Sequence, residues 1–327
     1  MRGGGDAEIV DTGTTPETMS RGPIPPPTRS DTPSSGTRQI TLVVNANASG
    51  IDGRAGAERI ARALSDEAPG TDVELVRTRS AEDLSEVWHP APGRRIVLAG
   101  GDGTLHDAVN LPGTPPELAL IPAGRANNTA RSLGFPVDLA GAARLAVAGE
   151  ARPLDLIEAR AGEHRVGVVE GVRVGLLALA RARYHAPNSA DVRAALAAGL
   201  GALVHFHPLD VRIRDHGTTS FLHVGQLFAA NMPRFGTGLR VAPGADPGDG
   251  LLDVVALDVP GRRAIPGMLL RLRRGRHHGH HLVRSWRTDR MTIWTRGRSP
   301  VMVDTHDLGP GPVELRAMAG ALALVRA

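Results

Sequence analysis

Cysteine is absent from this 327-residue sequence, which removes disulfide frameworks, thiolate nucleophiles and Cys-ligated zinc. That absence fits a cytoplasmic protein. Lysine is absent as well, so all 38 basic side chains are arginine. A Walker P-loop and a protein-kinase core each place a lysine on the phosphates, and both are disfavoured on that ground. Aromatic residues make up only 3%, with one Tyr and three Trp. No arginine stripe interleaves with them, so the stacking platforms of a nucleic-acid surface are missing and no nucleic-acid partner is expected. The longest apolar stretches, such as residues 194–204, fall short of a membrane span, and MRGGGDAEIVDTGTTPETMS has no apolar signal region. Membrane contact is therefore expected to be peripheral at most.

What is present is 41% apolar residues, 40 Gly, 25 Pro and a formal charge of only +4. The length is about twice that of a typical domain, so two domains are expected, with cores resting on Val, Leu, Ile and Ala. Residues 1–37 are rich in Gly, Pro, Ser and Thr and are expected to form a disordered tail. From ITLVVN onward, strand-like and helical runs alternate: helices over 55–64, 81–88 and 127–133, and strands over 72–77, 95–98 and ELALIP. This alternation predicts a doubly wound parallel sheet over 38–153, with ligands at the carboxyl ends of its strands. Over 154–327 the runs LDLIEAR, HRVGVV, LDVRIRD, SFLHVGQLFAAN, LLDVVALDV, DRMTIWTR, SPVMVD, PVELRA and ALALVR predict a β-rich, sandwich-like domain. Helices interrupt it over 189–204 and 263–274.

Gly100-Gly101-Asp102-Gly103-Thr104 follows the strand RRIVLA and opens a helix. Glycines let the backbone approach a ligand, so successive N–H groups can converge on phosphate. Asp102 would be repelled by a bare phosphate and is read as a contact to Mg²⁺ or to a nucleotide hydroxyl. Two further loops accompany it. Asn45-Ala46-Asn47-Ala48-Ser49-Gly50 ends the first strand, and Ile121-Pro122-Ala123-Gly124-Arg125-Ala126-Asn127-Asn128-Thr129-Ala130-Arg131 leads into a helix.

Together these three loops resemble the diacylglycerol kinase catalytic-domain family, which includes bacterial lipid kinases and sphingosine kinases. The family patterns are N-P-x-(x)-S-G, GGDGT and L-P-x-G-T-x-N-D-x-A-R. The resemblance implies ATP with Mg²⁺, bound through Asn45, Ser49, Gly100, Gly101, Asp102, Gly103, Thr104, Gly124, Arg125, Asn127 and Arg131, with Asp102 also expected to be catalytic. Arg125 and Asn128 stand where the family usually has Thr and Asp, and His106-Asp107 replaces its Asn-Glu.

The likeness extends through the second domain. Asn231, Gly236, Gly238, Pro243, Ala245, Asp249, Gly250, Leu252 and Asp253 match N-x-x-x-x-G-G-G...P-x-A...D-G-x-L-D, with Thr237 interrupting the glycines. In the family this loop can hold a structural Mg²⁺, here through the Asp249 side chain and the carbonyls of Asp246 and Leu251; an ordinary Asp-Gly turn is the alternative. Asp304 in VMVDTHDLG matches the Asp of V-D-G-E, to which the family assigns the base on the attacking hydroxyl. Thr305 and His306 replace its Gly and Glu, and the His306 imidazole is an alternative base. His277, His278, His280 and His281, beside Arg271, Arg273, Arg274 and Arg276, read as a basic surface suited to anionic headgroups rather than a metal site. The implied activity is γ-phosphate transfer from ATP to a lipid hydroxyl by a cytoplasmic or peripheral enzyme, with homodimerisation left open. A catalytically weak nucleotide-binding pseudokinase and a small-molecule alcohol kinase are the alternatives. NAD kinase shares GGDGT but not the later motifs.

Overall fold

β-branched and apolar runs are long enough to be strands and are punctuated by glycine and polar turns, which yields a first layer of alternating elements. The computed structural model describes residues 39–326 except 90, 92, 114–115, 183–191, 237 and 298. The expected tail, the start of the 189–204 helix and Thr237 lie outside the described residues.

The first layer comprises β1 (Gln39–Asn45), α1 (Gly53–Glu67), β2 (Val73–Thr78), α2 (Ala81–Val87), β3 (Arg94–Gly100), α3 (Asp102–Val109), β4 (Glu117–Pro122), α4 (Asn128–Ser132) and α5 (Leu139–Ala148). β2, β1, β3 and β4 pair in that order, all parallel. One face is covered by Ala57, Ile60 and Leu64 of α1 with Ala142, Ala143 and Ala146 of α5. The other carries Leu84 of α2 with Leu105, Ala108 and Val109 of α3. Helices on both faces explain why β1 and β3 read as unbroken apolar runs rather than alternating ones. α5 is a helix that the sequence reading did not mark; its small, alanine-rich face carries little periodic signal.

The second region contains β5 (Glu150–Ala161), β6 (His164–Val168), β7 (Gly171–Gly175), α6 (Leu176–Ala182), α7 (Val192–Val204), β8 (Leu209–Asp215), β9 (Thr218–Val224), β10 (Gln226–Ala230) and β11 (Leu252–Leu257). It ends with α8 (Ile265–Arg274), β12 (Val283–Thr288), β13 (Arg290–Thr295), β14 (Val301–Val303), β15 (His306–Asp307) and β16 (Pro312–Arg326). Two antiparallel sheets sandwich a core in which Ile157, Ile213, Ile293 and Leu315 face Val172, Val174, Leu227 and Val254. α7 and α8 cover the outer side of the second sheet through Ala202, Ile265, Met268 and Leu272.

Three features depart from the sequence reading. SFLHVGQLFAAN is two strands, β9 and β10, in different sheets. PVELRA and ALALVR are one strand, β16, whose pairing with β5 shifts register between Met318 and Leu322. The end of β16 also lies parallel to β4, pairing Leu324 with Leu118. The last strand of the chain thus joins the first domain's sheet, and β5 runs through the 153/154 boundary. The two regions share one ten-stranded sheet.

Candidate active site

The three glycine loops meet at the carboxyl ends of β1, β3 and β4, where backbone bonds sew them together. Gly50 N–H donates to the Ala123 carbonyl at 2.9 Å, and Ala123 N–H to the Gly100 carbonyl at 2.8 Å. Gly101 and Gly124 touch backbone to backbone: a Cβ on Gly101 would lie 2.9 Å from Gly124 Cα, and one on Gly50 would lie 2.7 Å from the Ala123 oxygen. The glycines at 50, 101 and 124 are required by this close approach. A Cβ on Gly103 would meet open space, so that backbone faces outward.

Several expected nucleotide contacts are occupied within the protein. Asn45 Nδ2 donates to Thr104 Oγ1 at 2.8 Å, while its Oδ1 accepts from Asn47 N–H. Asn127, in left-handed backbone at φ 47°, closes its own loop through Gly124 N–H and carbonyl. The Asp102 carboxylate accepts from the N–H groups of Asn128 and Thr129 at 3.0 and 3.1 Å, doing for α4 what a capping side chain does. Burial raises its pKa despite those two bonds. Ser49, Arg125 and Arg131 remain exposed. Arg131 joins Arg234 and Arg240 from beyond β10: burial, then the charges of Arg240 and Arg131, lower the Arg234 pKa. None of these three arginines pairs with a carboxylate among the described residues.

Across the junction the second region contributes Glu170, Arg173, Gly236 and Asp304. Asp304 is buried in left-handed backbone at φ 44°. One carboxylate oxygen accepts from His106 Nδ1 at 2.9 Å and Val169 N–H at 2.8 Å, the other from the N–H groups of Glu170 and Gly171 at 3.0 Å each. Burial pushes this carboxyl up, but the His106 bond and charge and the backbone donors outweigh it, so its pKa lies below the ordinary value. Asp304 was expected to face the incoming hydroxyl; four donors consume its acceptor positions instead. The positive φ falls on Asp304 and not on Thr305, so the absent family glycine costs the turn nothing. His306 stacks on His106 with ring centroids 4.4 Å apart and planes 20° apart.

Glu170 and Arg173 escaped the sequence reading. Their only signal was charge inside the apolar run VVEGVRVG. Asn128 Nδ2 donates to the Gly236 carbonyl at 2.6 Å and to both Glu170 oxygens at 3.2 and 3.3 Å. Burial, then the nearby charges of Asp102 and Asp304, raise the Glu170 pKa well above normal. Arg173 donates to the Asp304 carbonyl at 2.9 Å, and burial lowers its pKa to about 10.

The loop expected to hold a structural Mg²⁺ through the Asp249 side chain and the carbonyls of Asp246 and Leu251 carries a protein cation beside its carboxylates. Asp249 and Asp246 accept from the N–H groups of Leu251 and Gly248, two residues on. The Arg287 guanidinium occupies the loop, bonding the Gly244 carbonyl at 3.0 Å and Asp253 at 3.1 Å and lying 3.7 Å from Asp249. Arg287 thus answers part of the negative charge of Asp253 and Asp249. The histidine run also divides: His277 is buried, its Nε2 bonds the Val241 carbonyl at 2.7 Å, and burial lowers its pKa to about 4. His278 and Arg271, Arg273, Arg274 and Arg276 are exposed, as a basic surface requires.

Comparison with known proteins agrees with this architecture. The family described as diacylglycerol kinase catalytic domain matches residues 39–159, and the YegS C-terminal NAD kinase beta sandwich-like domain matches residues 171–326. A diacylglycerol kinase from Mycobacterium tuberculosis is 30% identical over 268 residues, spanning 79% of this chain and 85% of that protein. A Bacillus subtilis diacylglycerol kinase is 30% identical over 50% of this chain and 54% of its own length. A crystal structure of a putative diacylglycerol kinase from Bacillus anthracis shares the fold, with TM-score 0.71, 19% identity, and coverage of 90% of this chain and 99% of that one. With a relative at this identity matched over most of its length, and the glycine loops meeting at the domain junction, the chain belongs to the diacylglycerol kinase catalytic-domain family.

Proposed function

We propose that this chain transfers the γ-phosphate of ATP to the hydroxyl of a lipid acceptor. The observation that carries the reading is the convergence of Arg131, Arg234 and Arg240, without carboxylate partners, beside three loops whose glycines permit close backbone approach. In a chain without lysine, arginine must supply the cations for the triphosphate, and guanidinium forks suit phosphate oxygens. Mg²⁺ would enter with the nucleotide and neutralise its charge. The chain's own arginines and glycine-loop backbone would hold the phosphates.

A lipid acceptor is supported by exposed apolar side chains, Leu200 and Val204 on α7 and Leu270 among the exposed arginines of α8, on two helices that share one core cluster. No helix among the described residues is long and apolar enough to cross a membrane. Apolar groups rimmed by cations suit the surface of a bilayer containing anionic lipid.

One observation favours the alternative of a nucleotide-binding protein without turnover: the family base, Asp304, has no acceptor position left. The two readings separate in one pair of measurements, calorimetry of ATP binding and transfer of labelled γ-phosphate to diacylglycerol in mixed micelles. Binding with transfer supports the kinase. Binding without transfer to any lipid or soluble alcohol would overturn it.

A further inference from the structure

Resting on the kinase reading, we propose that His306 is the acceptor-side base of this enzyme, with Asp304 and His106 forming a buried pair that positions its ring. A general base needs an unshared lone pair open to the incoming hydroxyl. The Asp304 carboxylate offers none, being buried and bonded by His106 and three backbone N–H groups. His106 is buried too, with Nδ1 on Asp304 and Nε2 3.5 Å from Asn110 Nδ2. His306 alone of the three is exposed, at the junction of the two regions.

Its geometry suits the task. Nδ1 lies 3.1 Å from Thr305 Oγ1, so an Nδ1–H donated to that hydroxyl leaves Nε2 unprotonated. The stack on His106 fixes the ring plane. Among the described residues, the charged and titratable groups that act on it are His106 from α3, Asp304 from its own turn and Arg181 from α6. Desolvation, His106 and Arg181 lower the His306 pKa, against the opposing pull of Asp304, which keeps the imidazole neutral and receptive near neutral pH.

In the step itself, the acceptor oxygen forms a bond to Pγ as the bond from Pγ to the β,γ-bridging oxygen breaks. ADP leaves with that electron pair, and the hydroxyl proton moves to His306 Nε2 and then to solvent. The Asp304 carboxylate, one ring away, stabilises the imidazolium while it lasts. Its role is positioning, not proton abstraction.

The test compares wild type, His306→Ala, His306→Gln and His306→Glu for transfer from Mg-ATP to diacylglycerol in mixed micelles between pH 5 and 9, with ATP affinity and thermal unfolding measured alongside. Because His306 is exposed in a two-residue strand, all four proteins are expected to fold and to bind ATP alike. His306→Ala and His306→Gln should lower kcat by about 10²-fold, the scale of a lost general base. His306→Glu should recover much of this, with the acidic limb of its pH profile moved to lower pH, as a carboxylate base requires. Transfer by His306→Ala at the wild-type rate overturns the assignment and leaves the kinase reading standing. So does a His306→Glu profile whose acidic limb does not move. Absence of transfer in wild type overturns both.

Discussion

His106 Nδ1 and Asp304 Oδ2 lie 2.9 Å apart, both buried, in a bond that joins the helix opened by GGDGT to the turn following β14. It ties the expected nucleotide side to the expected acceptor side. The same carboxylate collects three backbone N–H groups from residues 169–171, so one side chain fixes the junction.

Replacing Asp304 therefore tests stability as much as catalysis. Asp304→Asn keeps one acceptor oxygen but turns an amide donor toward either His106 and Val169 N–H or the N–H groups of Glu170 and Gly171, all of which already donate. Leaving buried donors without an acceptor costs roughly 1–3 kcal/mol, which chemical denaturation would reveal. Asp304→Asn with undiminished stability would contradict the bonding described. Because the folded pKa is depressed, the stability Asp304 contributes is present above its unfolded value and is lost as pH falls through the folded one.

Glu170 should behave in the opposite sense. Its folded pKa is raised, so wild-type stability falls as pH rises from the ordinary Glu value toward the folded one. Glu170→Gln removes that ionisation and should raise Tm at pH 7 to 8, with no gain near pH 4. Equal shifts at both pH values would show that Glu170 is not a strained buried acid.

Gly101→Ala places a methyl group 2.9 Å from Gly124 Cα, where neither backbone can yield. A cost of about 1–3 kcal/mol and loss of ATP binding by calorimetry are expected. Gly103→Ala, with open space at its Cβ, should be well tolerated in stability.

Asp102→Ala removes the acceptor for two N–H groups at the start of α4. The expected loss is about 1 kcal/mol, as for a lost helix cap, together with weakened ATP binding. Unchanged stability would return Asp102 to a role purely toward ligand.

Chelation addresses the loop around Asp249. With Arg287 as its cation, treatment with EDTA should leave Tm unchanged, whereas Arg287→Met should lower it. A chelator-induced drop in Tm would restore a metal to that loop.

The sequence by itself determined the layered first domain, because alternating apolar strands and amphipathic helices leave few other ways to bury their faces. It also determined the placing of the glycine loops at strand ends, and the family, because the loop motifs are local strings. What only the tertiary structure decided lies in contacts between distant segments. The joining of β16 to β4 is a parallel pairing of Leu324 with Leu118 across about 200 residues of chain, which no local pattern encodes. Asp304 looked like an accessible carboxylate because an Asp in a turn usually is; its burial depends on N–H groups of residues 169–171, more than 130 positions away. Arg287 and Asp249 read as unrelated charges until antiparallel pairing of β11 with β12 set Asp253 opposite Arg287. A side chain's identity states what it can donate or accept, but which partner it meets, and whether any lone pair is left for a substrate, is decided by the fold.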